Sequence, residues 1–215
     1  MTVGAALWDL LLPARCPACD AVATPVLCGG CAAELERLAL PDLARTTLAE
    51  GVLAVGAYAY DGIAADIVRG VKAGERHAAA TGLGHLLRAR LNLPSPWQVP
   101  TTWVPSTRRR RRERGVEVPH LLAGPGARRL VAKVAERPDQ TDMDPVERRR
   151  SPIGAFAATG PVPPAVILID DVRTTGATAL AAATALQQGG AQRVVVATFA
   201  VAGDQARAGL ALGRR

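Results

Sequence analysis

Two short stretches of this chain carry residue types whose spacing could do chemistry. The first holds all four cysteines, as Cys16-Pro-Ala-Cys19 and Cys28-Gly-Gly-Cys31. Two residues between thiolates let each pair form a tight knuckle whose sulfurs reach one tetrahedral ion at about 2.3 Å. Pro17 and the Gly29-Gly30 pair supply the turn chemistry that such knuckles require. Four thiolates close the coordination sphere, so the ion expected at Cys16, Cys19, Cys28 and Cys31 is a structural zinc rather than a catalytic one. A segment this small buries too little to fold alone, and zinc contributes on the order of 10–16 kcal/mol to ordering it. The alternative, two disulfides, needs an export route, for which the sequence gives no sign.

The second stretch is Val166 to Thr178, VILIDDVRTTGAT. Asp170 and Asp171 follow an apolar run, and adjacent carboxylates there are suited to accepting hydrogen bonds from a vicinal diol such as the 2- and 3-hydroxyls of ribose. They would repel a phosphate, which must sit further along. Arg173, Thr174, Thr175, Gly176, Ala177 and Thr178 provide for it. Small residues let successive backbone N–H groups converge on one anion, and Gly176 permits close approach. Thr hydroxyls add donors, and a helix amino terminus adds about half a positive charge. The chain has no Gly-Lys dipeptide and no G-x-G-x-x-G, so this is neither a Walker loop nor a dinucleotide fingerprint. The reading from these residues is a site for the 5-phosphate end of a phosphorylated ribose. The alternative is an ordinary strand-to-helix turn with two solvated acids and a Thr cap.

Elements of definite type must position these residues. Ala165 to Ile169 is a continuous apolar run of strand length, as expected of a strand buried on both faces. Gly176 to Gln188 fits a helix stopped by Gly189-Gly190, and Arg193 to Ala202 is a second β-rich run. Strand, helix and strand with short turns make a βαβ crossover in a parallel sheet, where ligands bind beyond the carboxyl ends of the strands. Upstream, a short helix ending at Pro13 and another over Cys31 to Leu40 flank the cysteines. Val52 to Tyr60 alternates like a strand, and Ile63 to Gly74 and Thr81 to Asn92 look helical. A Pro-rich loop, Pro94 to Pro100, leads into a short strand ending at Pro105, after which come Arg108 to Arg112, Glu113, Arg114 and Gly115. Arg129 to Ala135 reads as a strand and Asp144 to Arg150 as a short helix. The expected division is a module over residues 1–45 and an α/β domain over 50–215.

With 215 residues and 49% hydrophobic content, the chain has room for one medium α/β domain plus a small appendage. Aromatics are only 3%, so Ala, Val and Leu must build the core. No apolar run is long enough to span a bilayer, and the amino terminus lacks the basic start of a signal peptide, so the expectation is a cytoplasmic protein without membrane insertion. The net charge of +7 favours anionic partners. Nearly all of it is Arg, with Lys72 and Lys133 the only lysines, a bias that a GC-rich genome imposes whatever the function. His77, His85 and His120 read as structural or surface histidines.

The stretch VILIDDVRTTGAT resembles the phosphoribosyl-pyrophosphate signature of type I phosphoribosyltransferases. Joined to an amino-terminal four-cysteine knuckle, it is similar to the ComF family of bacterial competence-associated proteins. The likeness extends to Asp66–Glu75, Val104–Gly115, Asp139–Arg150 and Gly154–Phe156. It implies a type I phosphoribosyltransferase-like α/β fold: a parallel sheet flanked by helices, with a small amino-terminal zinc module.

The resemblance implies roles as well. Asp170 and Asp171 would hold the ribose hydroxyls, and Thr174 to Thr178 the 5-phosphate. Arg108, Arg109, Arg110, Arg111, Arg112 and Arg114, in the loop after Pro105, would face the pyrophosphate. Mg²⁺ bound with phosphoribosyl pyrophosphate would neutralise the leaving group. The reaction implied is attack of an amine-bearing base on the anomeric carbon with release of pyrophosphate. Lys72 is a candidate for contacting that leaving group, the alternative being a solvated helix lysine. Where the family usually has F-N-Q after R-G, this chain has Val116-Glu117-Val118. Ser151-Pro152 replaces the usual Asn after the E-R-R helix, and Ala73 the aromatic after the lysine. These departures lie outside the phosphate loop, so ligand binding is better supported than turnover.

Two function classes follow. One is a phosphoribosyltransferase of unassigned acceptor. The other is a competence factor that binds single-stranded DNA and works with other DNA-uptake proteins, its arginines at 108–114 and 148–150 following a phosphate backbone.

Overall fold

Runs rich in Val, Ile and Ala gather into one five-stranded sheet in the computed structural model, which describes residues 14–23, 26–73, 77–134 and 154–203. In chain order the elements are α1 (Gly29–Arg37), a 3₁₀ turn (Pro41–Ala44), β1 (Thr46–Ala49), β2 (Val52–Ala59), α2 (Gly62–Lys72) and α3 (His77–Leu91). Then come β3 (Thr101–Trp103), α4 (Arg108–Arg114), α5 (Val118–Ala123), β4 (Val131–Lys133), β5 (Phe156–Ala158), β6 (Ala165–Arg173), α6 (Ala177–Gln188) and β7 (Arg193–Val201). The helices expected before Pro13 and over Asp144 to Arg150 lie outside the described residues, as do Arg148 to Arg150.

The sheet order is β1-β2-β7-β6-β3. β2, β7, β6 and β3 are parallel, but β1 runs antiparallel to β2, so the sheet is mixed and the expectation of a wholly parallel one is corrected. The cause is local. Ala49 pairs with Val52, leaving Glu50-Gly51 as a two-residue turn, and so short a connection can only return antiparallel. Gly51 has φ +71°, and a Cβ there would stand 2.5 Å from the Gln192 carbonyl oxygen.

Three further expectations change. The segment Arg129 to Ala135 yields only β4, which pairs with β5 in a separate two-stranded sheet. The arginine run is a helix, not a loop. β6 continues past Ile169 through the two acids to Arg173, because Asp170, Val172 and Arg173 still pair with β7.

Alternation along the strands divides the core. Ile167 and Ile169 of β6, with Ala197 and Phe199 of β7, face a cluster that includes Ile67 and Val71 of α2, Leu83 and Leu87 of α3, and Val118 and Leu122 of α5. Val166, Leu168, Val194 and Val196 face the other side, where α6 packs with Ala182, Ala183 and Leu186. The Ala-rich helix needs no large side chains because alanines let it lie close against two valine-bearing strands. Cys16, Val26, Leu27, Cys31 and Leu35 belong to the first cluster, so the cysteine module shares the core of the sheet. Its Val26 seats against α3 at Gly82, where a Cβ would stand 2.2 Å from Val26 Cγ2.

Candidate functional site

The turn from β6 to α6 builds a small polar cleft. Gly176, at φ +82°, reverses the chain immediately before the helix; a Cβ there would meet Leu48 at 3.2 Å as well as strain the backbone. The first intrahelical bond of α6 runs from Leu180 N–H to the Gly176 carbonyl at 2.8 Å. The N–H groups of Ala177, Thr178 and Ala179 therefore have no helical acceptor. That of Ala177 makes a long contact of 3.4 Å with Thr175 Oγ1. The cleft, about 40 Å³, is lined from Asp170 round to Ala179, with Thr174, Thr175 and Thr178 exposed at its rim. Arg173 lines it from beneath: its side chain is buried and donates to the Ala44 carbonyl at 3.2 Å.

The two acids part company. Successive side chains on a strand point to opposite faces, so Asp171 follows Ile167 and Ile169 toward α2 while Asp170 shares the parity of Val166 and Leu168. On the α2 side Lys72 reaches Asp171 Oδ2 at 2.8 Å, both side chains being largely shielded. Lys72 is thus an ion-paired neighbour of the acids rather than a solvated helix lysine. Asp170 is buried and lines the cleft, and its Oδ1 accepts the Asp171 N–H at 2.9 Å. Burial, reinforced by the Asp171 charge and only partly offset by that N–H and by Lys72, pushes the Asp170 carboxyl up to about 8.

A consequence for stability follows from the sign of that shift. Between its ordinary value of 3.8 and about 8, the folded chain holds a proton on Asp170 that the unfolded chain has lost. The contribution to stability is therefore unimpaired below pH 4 and falls as pH rises through this window. Asp170→Asn, which removes the titration, is expected to raise the melting temperature more at pH 8 than at pH 5. An equal change at both values would rule out Asp170 as the responsible group.

The chain leaves the carboxyl ends of neighbouring strands β6 and β3 toward opposite faces of the sheet. α6 packs on one, and α5, following β3, on the other. Such a divergence opens a crevice, the usual ligand position in α/β sheets. The cleft of residues 170–179 flanks it on one side. α4 begins four residues after Val104, whose N–H bonds the Ile169 carbonyl, so the chain enters it from the same end of the sheet. Arg109 is exposed and pairs with Glu113 at 3.4 Å, and Arg112 is exposed. Arg111 approaches Glu117 at 3.8 Å. The side chains of Arg108, Arg110 and Arg114 lie outside the described residues.

Sequence reasoning missed Glu117. It is buried beside Trp103, whose indole N–H it accepts, and Trp103 in turn stacks on His120 at 4.1 Å. The available signal was a single carboxylate set between Val116 and Val118 just before Pro119.

The four cysteines converge as well. Their sulfurs all lie within 4.8 Å of one another, and Cys19 and Cys28 are 3.5 Å apart. A tetrahedral ion with bonds of about 2.3 Å spaces its ligands by about 3.8 Å, so the cluster could hold a metal. Burial raises the Cys16 thiol, but the N–H groups of Cys28, Cys19 and Ala18 outweigh it and bring it down to about 6. The Cys31 N–H and the Cys31 and Cys19 thiols lower Cys28, while burial and the other three thiols push Cys31 up. Backbone donors aimed at sulfur favour thiolate, the form that binds metal.

Fold and site together define an α/β protein with a mixed five-stranded sheet, a small polar cleft at a strand-to-helix turn, and a four-cysteine cluster that could hold a metal. No protein-family model matches the chain, and no curated protein is significantly similar to it. Among the described residues, no helix is long and apolar enough to cross a membrane.

Proposed function

We propose that this protein binds phosphoribosyl pyrophosphate, with the 5-phosphate on the turn Thr174 to Thr178, and that it is a ComF-like phosphoribosyltransferase carrying a structural zinc on its four cysteines. The observation that carries the reading is the cleft itself. Open helix N–H groups, exposed threonine hydroxyls and a left-handed glycine surround a space of about 40 Å³. Such a space suits one small tetrahedral anion. Asp170, at the inner end, supports a sugar beyond the phosphate. A carboxyl raised to about 8 is largely protonated at neutral pH. It can therefore both donate to and accept from a ribose hydroxyl without repelling the phosphate beside it. Asp171 would take the other hydroxyl as Lys72 turns from it toward the pyrophosphate. Mg²⁺ on the pyrophosphate would neutralise the leaving group when bound.

Calorimetric titration with phosphoribosyl pyrophosphate and Mg²⁺ tests the reading. Saturable binding is expected, with inorganic phosphate competing weakly. Absence of binding by folded, zinc-loaded protein would overturn it.

A second reading, a competence factor that grips single-stranded DNA, draws on different residues. Arg109 and Arg112 are exposed on α4, and Trp97, 81% exposed, offers a flat surface on which a base could stack. This reading expects oligonucleotide affinity that falls steeply with salt and weakens in Trp97→Ala.

A further inference from the structure

Glu117 sits one residue before α5, 5% exposed, with both carboxylate oxygens engaged. Oε1 accepts the Ser106 backbone N–H at 3.0 Å. Oε2 accepts from the Arg129 guanidinium at 2.7 Å and from Trp103 Nε1 at 3.3 Å. Arg111 Nη1 approaches Oε1 at 3.8 Å. Trp103 is held further by the stacked His120 ring and by Arg129, whose Cζ lies 5.1 Å from the indole centroid. These partners come from the end of β3, the connection into α4, the body of α4 and the run-in to β4. A buried carboxylate is costly unless its lone pairs are taken up, and a fully satisfied network is rigid. One side chain therefore ties both the backbone entering the arginine helix and a side chain within it to the strand beside β6.

We propose that Glu117 is a positioning residue: it sets where α4 stands beyond the carboxyl end of β3, the strand beside β6 and its phosphate turn. It thereby sets how strongly the site prefers a ligand bearing a pyrophosphate over one bearing the 5-phosphate alone. This rests on the reading that the crevice binds phosphoribosyl pyrophosphate, and it assigns the discrimination within that site to a residue that touches no ligand.

Glu117→Gln preserves shape but leaves a single oxygen. However the amide turns, its NH₂ faces either the Ser106 N–H or the Arg129 and Trp103 donors, and either way the link from the entry of α4 through Glu117 to β3 is broken. Misplacement of a positioning group by about 1 Å can cost on the order of 100-fold. The test compares phosphoribosyl pyrophosphate with ribose 5-phosphate, both with Mg²⁺, by calorimetry on the full chain. The parent is expected to prefer the pyrophosphate. In Glu117→Gln that preference should shrink by about 10- to 100-fold while ribose 5-phosphate affinity holds. Trp103→Phe keeps an aromatic ring there and removes the indole N–H donor. It should move the same ratio less, and it serves if Glu117→Gln does not fold. An unchanged ratio in the folded variants overturns the proposal, and so does equal loss of both ligands, which marks a purely structural role. A parent that binds neither ligand removes the underlying reading, whereas one that binds both equally leaves that reading standing and overturns the proposal before any variant is made.

Discussion

If the four cysteines hold the proposed zinc, treatment with a strong chelator, or replacing Cys31 by Ser, is expected to release one metal ion per chain and to lower the melting temperature by about 10 °C or more. Three observations set the size. Cys16 and Cys31 are buried, so the site is part of the interior rather than a surface clip. Val26, Leu27 and Leu35 share a cluster with Ile67, Leu83 and Phe199, so loosening the knuckles exposes the face of the sheet on which α2 and α3 pack. Without metal, several thiols compete for protons, with Cys31 pushed up and Cys16 down, and a cluster of unequal thiols has little cohesion of its own. Metal-release assay, thermal denaturation and hydrogen exchange across α1 check the prediction. Unchanged stability after complete metal loss would show that the four cysteines close on one another without an ion.

Replacing both acids, Asp170→Ala with Asp171→Ala, is expected to cost at least 100-fold in affinity for phosphoribosyl pyrophosphate. Two hydrogen bonds to charged or strongly polar groups contribute about 1.5–3 kcal/mol each, and about 1.4 kcal/mol is tenfold. The variant should keep a weak affinity for inorganic phosphate, because the turn from Thr174 to Thr178 and the amino end of α6 are untouched, and Lys72 loses its acid partner. It should also be more stable than the parent at alkaline pH, since the buried Asp170 carboxyl, displaced to about 8, is then absent. Loss of sugar binding joined to a gain in stability is the signature of acids kept for a ligand. Calorimetry and pH-dependent melting read the two effects separately. Full affinity in the double variant would remove the acids from the ribose and leave the turn as a phosphate cap only.

What could be read from the chain alone was what lies close together along it. Each C-x₂-C pair makes its own knuckle. Ala165 to Ile169 is apolar on both parities, as a doubly covered strand must be, and Gly176 sits where a strand turns into a helix. Asp170 to Thr178 needs only that local sequence to end up around one cleft. The arginine run lay at the edge of legibility. Its charge suggests a mobile loop, yet Arg109 pairs with Glu113 one helical turn on and Arg111 meets Glu117 through the fold, and α4 forms.

The tertiary structure decided the rest, because it depends on which strands become neighbours. Lys72 meets Asp171 only because β2 and β6 enter one sheet and α2 covers the face that odd-numbered residues of β6 share. The mixed sheet follows from a two-residue turn that allows β1 only an antiparallel return. That α6 and α5 leave adjacent strands toward opposite faces is likewise set by which strands pair. Glu117 gathers hydrogen-bond donors from three separate segments, and no spacing in the sequence marks it out. Local chemistry is written in residue order. The distances that let it act are set by long-range pairing, in which the free energy of burial across the whole sheet outweighs any single segment's preference.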